Sequence, residues 1–269
     1  MQDLTLGTVE AHAHLLSIPS DTQLLYKIIS VENLLRSIVG NYLYFNRVDS
    51  YIDFPGADHH DGRQLPQDQE SNSLSRFEKA PDFSAANYYD QSRARTYACC
   101  FSLENSDFIW NNYANGSERG KVCVVFEFGK LRNTLNQILQ PGNAVLNYNG
   151  NQCHQIFSVN YGTVGYVNRE THQANTQYLP NPIIYTYLKD KEKFSEEKEF
   201  RISLSTIGIG QFALSDGSTM QLPLGLELAF DLKAAIADGT IQQILYSSCS
   251  DSDFLLAELH KLHIFPSNG

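Results

Sequence analysis

Glu197, Glu199 and Arg201 stand at alternate positions late in the chain, in the run EEKEFRISLS, where charged and apolar residues alternate from Glu197 onward. Side chains two apart on a strand share a face. The pattern therefore predicts two carboxylates and a guanidinium side by side, with Phe200, Ile202 and Leu204 on the opposite face. Arg201 has the planar fork that can hold a phosphate through two parallel hydrogen bonds. The plainer alternative is a charge set on an exposed strand face, balanced across neighbouring strands.

A second constellation lies between Thr96 and Phe128, the stretch TYACCFSLENSDFIWNNYANGSERGKVCVVFEF. Tyr97, Cys99 and Phe101 alternate with Cys100 and Ser102, as on a strand covered on both faces. Asn105, Ser106 and Asp107 offer N-cap side chains and a first-turn negative charge. Trp110 and Tyr113 are three apart, on one helical face. They are expected either as core aromatics or as walls of a ligand pocket. Asn115-Gly116 is a left-handed stop signal, and Val122 to Phe126 reads as a buried strand. Cys100 or Ser102 as a nucleophile would need a base within hydrogen-bond reach, and no motif places a histidine there. His59-His60-Asp61 and His12/His14 carry the right residue types for a metal. Adjacent ligands rarely converge on one ion and no further ligands stand at a telling spacing, so a surface role is expected and no metal site is predicted.

The whole chain sets bounds on these sites. Its 269 residues are 42% hydrophobic and 19% charged, the profile of an ordinary globular protein. The 15 tyrosines and 15 phenylalanines favour strands. A formal net charge of −10 disfavours non-specific binding to nucleic acid or to an anionic membrane. The five cysteines form no CxxC pair, and their odd number points to reduced core residues in a cytoplasmic protein. The first residues lack the basic-then-apolar order of a signal peptide, and no apolar run is long enough to span a membrane.

Elements that would position the sites follow from periodicity. Gln23 to Ile29 reads as a strand. Ser30 caps a helix with Val31, Leu34, Leu35, Ile38 and Val39 on one stripe, ended by Gly40, and Tyr42 to Asn46 is the next strand. Residues 47–95 break the rhythm as a long polar loop with short helices expected at 74–77 and 83–89. After the central stretch come a helix from Lys130 to Leu139 stopped at 141–143, and strands at 156–161 and 163–167. An irregular segment follows, bearing Pro180 and Pro182. Next comes an undecided element at 183–188. Strands at 207–214, 220–222, 224–230 and 241–246 carry helices capped by Asp231 and by Ser250 or Asp251. The expected architecture is α+β: a mixed, largely antiparallel sheet with short helices around it, one domain over 21–269 after an N-terminal extension over 1–20.

LYKIISVENLLRSIVGNYLYFNRVDSYID resembles the opening of a mostly bacterial family catalogued as domain of unknown function 2971. Tyr26, the leucine pair Leu34-Leu35 and Leu43 to Asn46 match its pattern. Asp53 and Pro55 align loosely with its Asn-Asp-Pro loop. Cys100-Phe101-Ser102, Trp110 with Tyr113, then Gly120, Cys123 and Phe126 follow its central motifs in order, and Lys191 or Lys193 with Glu197, Glu199, Phe200 and Arg201 follow its last. The resemblance covers about residues 24–265 and implies relatives rather than a reaction.

The order of elements is also similar to that of ADP-ribosyltransferases. That likeness implies NAD as substrate and assigns no certain cofactor. Glu199 would stabilise the oxocarbenium-like centre as nicotinamide leaves, and Glu197 would orient the acceptor. Tyr26, Trp110 or Tyr113 would stack on a flat ring, and Lys27, Asn46, Ser102 and Arg201 would complete the ligand-binding set. Lys27 stands where such enzymes carry histidine or arginine. The other expectation is a non-catalytic module that holds a nucleotide or a protein partner in a cleft between the Thr96 to Phe128 stretch and the 47–95 loop.

Overall fold

The opening strand–helix–strand unit forms as β1 (Leu24–Ser30), α1 (Val31–Gly40) and β2 (Tyr42–Arg47) in a computed structural model that describes residues 9–53, 56–140, 146–148, 150–153, 156–174, 183–206, 211–214, 216–248 and 250–264. The Ser30 hydroxyl accepts from the Asn33 amide and starts α1. The helix ends one residue later than expected. Asn41 takes the left-handed position at φ 52°, a role asparagine tolerates. Gly40 serves close approach instead, since a Cβ there would lie 2.7 Å from the Tyr42 ring. Val39, counted with the apolar stripe, is 66% exposed, while Val31, Leu34 and Ile38 are buried. The expected stop at 141–143, the segment around Pro180 and Pro182, Pro55, residues 207–210 and the setting of Cys249 lie outside the described residues.

The 47–95 stretch is more regular than its composition suggests. It contains α2 (Pro66–Leu74), the short hairpin of β3 (Arg76–Phe77) and β4 (Ala80–Ser84), and α3 (Ala85–Arg93). No helix forms at 74–77. Pro66 opens α2 earlier, with its fixed φ and missing N–H at the first helical position. A capping box between Ser84 and Asn87 sets the start of α3.

The central stretch supplies β5 (Thr96–Ser102), α4 (Asp107–Asn112) and β6 (Lys121–Glu127), followed by α5 (Phe128–Ile138). Tyr113 is the extended residue after α4 rather than part of it. Ser106 makes no capping hydrogen bond, and Asn105 instead accepts from the Trp110 indole at 2.8 Å. Next come β7 (Leu146–Tyr148), β8 (Asn151–Cys153), β9 (Ile156–Thr163), β10 (Gly165–Val167), α6 (Ile183–Thr186), β11 (Leu188–Asp190) and α7 (Lys191–Phe194). The chain closes with β12 (Glu199–Thr206), β13 (Gln211–Ala213), β14 (Thr219–Gln221), β15 (Gly225–Ala229), α8 (Leu232–Ala237), β16 (Ile241–Tyr246) and α9 (Ser252–Lys261). Asp231 and Asp251 cap the last two helices.

The fold is α+β, with helices packed around one large sheet in a single body. The sheet has ten strands. Its path runs β16-β6-β1-β5-β2-β15-β7-β8, with β12 and then β9 added along β5. Every pairing in it among the described residues is antiparallel, and the parallel pair β10–β11 stands apart. β5 is the branch point. It pairs with β12 along its whole length, but with β1 only at Ser102 and with β2 only at Tyr97 and Ala98. Lys27 reaches into the fork, donating to the Cys100 carbonyl at 3.1 Å. One face of the sheet packs Phe101, Phe126, Phe128 and Phe200 with ring centroids 5.0–6.5 Å apart. Burial of such large rings is strongly stabilising. The described part of the N-terminal extension lies on this body: Glu10 takes two hydrogen bonds from Arg132 at 2.7 and 2.8 Å, and Ser17 accepts from the Thr163 amide at 2.7 Å.

Among the described residues no helix is long and apolar enough to cross a membrane.

Candidate functional site

β12 carries Glu199 and Arg201 on the face opposite Phe200, Ile202 and Leu204, and that face is covered. Glu199 is 4% exposed and Arg201 1%. The expectation of a solvated strand face is corrected. Segment 56–64 and the turn from α6 into β11 lie over it and supply partners. Glu197 is not on the strand. It belongs to a 3-10 turn over Ser195–Glu197, and Lys198 at φ 47° kinks the chain between the two glutamates.

These groups form a continuous buried ion network. Asp61 accepts from both terminal nitrogens of Arg201, at 2.7 and 2.9 Å. Arg201 also donates through Nε to Glu199 at 2.8 Å and through Nη1 to the Thr186 carbonyl at 2.6 Å. Lys189 Nζ lies 2.7 Å from Glu199 Oε2 and 2.7 Å from Glu197 Oε2. Tyr113 donates to the other oxygen of Glu197 at 2.5 Å. The network holds three carboxylates against two cations. Burial alone would raise Glu199, but Arg201 and Lys189 overcome it and hold the carboxyl well below the usual range. Glu197 has moved the other way, raised first by burial and then by Glu199. Burial would lower Lys189 and Arg201, yet their carboxylate partners hold both above their ordinary values. Burial pushes the Cys100 thiol beside Glu199 up to about 12, so it is no activated nucleophile.

The structure brings together five of the residues singled out in the sequence: Glu197, Glu199, Arg201, Tyr113 and Ser102, whose hydroxyl donates to the Glu197 carbonyl at 2.8 Å. Tyr26 pairs across from Ser102, and Asn46 pairs with Ala98 and Gly225. Lys27 is spent on the Cys100 carbonyl and sits 5.1 Å from the Phe101 ring centroid. Trp110 lines a separate open groove of about 740 Å³ with Asn111, Asn115 and Tyr246. Asp61 is not the surface-loop residue expected from the His59-His60-Asp61 run; it is 2% exposed. Among the described residues no group of three or more His, Cys, Asp or Glu stands close enough to hold a metal ion.

Beyond Asp61 lies a cavity of about 470 Å³, walled by segment 60–69 and α3 on one side and by Arg169, Asp190 and Lys193 on the other. Gly62 lets the segment turn over it. Its φ is +68°, and a Cβ there would lie 2.6 Å from Val48. Arg93 Nε donates to the Asp61 carbonyl at 2.5 Å and so ties this wall to the ion network. His60 is depressed by burial first and then by Arg169, with Arg63 and Lys193 adding to it and Asp58 opposing; Arg93 is depressed by burial first and then by Arg63, with Asp49, Asp61 and Asp90 opposing. Lys189, Arg93 and Arg169 were missed in the sequence. Their positions relative to Glu199 or to one another follow no periodicity, and only the packing of 56–93 against 169–174 and 183–193 brings them together.

Compared with models of known families, with curated proteins and with solved structures, the chain matches no family model, no curated protein and no solved structure.

Proposed function

We propose that this protein is a non-catalytic binding module that holds a nucleotide-class small molecule between segment 60–93 and the residues around Arg169 and 190–193. The observation that carries the reading is the cavity of about 470 Å³ bounded by those two stretches, within the size range of small-molecule sites. The carboxylates that an NAD-cleaving enzyme would use are committed elsewhere. Both oxygens of Glu199 and both of Glu197 are engaged by Arg201, Lys189 or Tyr113. In this reading the ion network is a rigid floor that fixes Asp61, and through it the wall that bears Arg93.

A second reading, an ADP-ribosyltransferase-like enzyme, is favoured by one observation: Glu197 is raised while Glu199 is lowered, and carboxylates separated in this way often divide acid and base roles. One experiment serves both readings. Thermal unfolding of the wild type with NAD, ADP-ribose and ATP should show stabilisation of about 2.7 kcal/mol at a hundred times Kd, and incubation with NAD should release no nicotinamide. Nicotinamide release abolished by Glu199→Gln in a folded protein would instead establish the enzyme. No stabilisation and no turnover would remove both.

A further inference from the structure

Arg169 is 7% exposed and lines the cavity. It makes one hydrogen bond to described residues, from Nη2 to the Gln64 carbonyl at 3.1 Å, and no carboxylate among them lies within ion-pair distance of it. Burying a guanidinium without a counter-charge is costly. The half-buried Arg93 also lines the cavity; Asp49, Asp61 and Asp90 act on it at longer range, but no carboxylate among the described residues lies within ion-pair distance of it. The exposed Arg63 and Lys193 stand at the same cavity and likewise form no ion pair with described residues. The acids of the lining are occupied or peripheral. Asp190 accepts from the Glu192 and Lys193 amides as the cap of α7, Asp90 accepts from the Gln64 side chain, and Glu170 is exposed. A protein of net charge −10 thus keeps four cationic heads around one cavity with no carboxylate among the described residues within ion-pair distance of them. No Phe, Tyr or Trp among the described residues lines it, so the described lining favours the sugar phosphate of a ligand over its base.

We infer that the cavity is a phosphate subsite for a sugar-phosphate-class ligand, with the phosphoryl group on Arg169 and Arg93 and the hydroxylated remainder towards Arg63 and Lys193. The guanidinium fork matches phosphate oxygens in pairs, and a buried fork with no carboxylate on it is set up for them. This inference rests on the binding-module reading and specifies which part of a nucleotide-class ligand the cavity recognises, its sugar phosphate.

The test is isothermal titration of the full chain with ribose 5-phosphate, pyrophosphate and unphosphorylated ribose, at low and high salt. The two phosphorylated probes should bind, more weakly at high salt, and ribose should not. Arg169→Met should weaken ribose 5-phosphate at least about tenfold. Arg63→Ser, at an exposed rim position, should weaken it severalfold without disturbing the fold and decides the matter should Arg169→Met not fold. Trp110→Ala should leave the affinity unchanged. Equal binding of ribose, or affinity for ribose 5-phosphate that survives both arginine substitutions, would overturn the phosphate subsite. If NAD, ADP-ribose or ATP still bind in those variants, the binding-module reading stands and only the subsite falls; if no compound binds the wild type, both fall.

Discussion

Replacing Arg201 with methionine strips the buried network of its central cation while keeping most of the side-chain volume. Arg201 is 1% exposed and makes four hydrogen bonds, two to Asp61, one to Glu199 and one to the Thr186 carbonyl. Glu199 keeps Lys189 at 2.7 Å, but the Asp61 carboxylate, 2% exposed, loses both hydrogen bonds that Arg201 donates to it. Breaking a buried ion pair from one side costs about 3–5 kcal/mol. At about 2–4 °C per kcal/mol for a chain of this class, Tm should fall by roughly 6–20 °C. The cost comes from the stranded charge, so Asp61→Asn in the Arg201→Met background should restore part of the loss, with a coupling energy of about 0.5–3 kcal/mol. Urea unfolding of wild type, both single variants and the double variant measures this directly. Arg201→Met within about 0.5 kcal/mol of wild type, the level of an ordinary surface change, would refute the buried network as a stabilising unit.

Four further outcomes are expected. Glu199 is depressed in the fold, so its contribution is present above the unfolded value of about 4.3 and is lost as pH falls through the folded value; acid titration of stability should show this loss in wild type and not in Glu199→Gln. Glu197 is raised, so its linkage has the opposite sign, and its contribution declines as pH rises through the folded value; at pH 7 Glu197→Gln should therefore cost less stability than Glu199→Gln in the same unfolding assay. Gly62→Ala should destabilise by about 1 kcal/mol or more, because φ is +68° and the new Cβ meets Val48 at 2.6 Å, and it should weaken any ligand of the adjoining cavity in titration calorimetry. Cys100 and Cys123, both pushed up to about 12 by burial, should resist alkylation at pH 8 in the native state, with peptide mass spectrometry showing modification only after unfolding; rapid native labelling at Cys100 would contradict its placement beside Glu199.

Local pattern carried most of the secondary structure. The stripe of α1, the caps at Ser30, Asp231 and Asp251, and the alternation in β5 and β12 are legible because each depends on neighbours within four or five residues. The 47–95 segment was less legible, since a polar composition conceals helices whose starts rest on one proline and one capping box. The candidate site was legible only in part. The alternation placed Glu199 and Arg201 together on one face, yet it could not say whether that face meets water. Burial of the face depends on Asp61, 140 residues away in sequence from Arg201, and on Lys189 from another strand. Likewise Arg93 and Arg169 share a cavity only because α3 and the residues after β10 pack against each other. Periodicity reports the side of an element on which a residue lies; the tertiary structure decides what covers that side, and so whether a charge is solvated, paired or left facing a cavity.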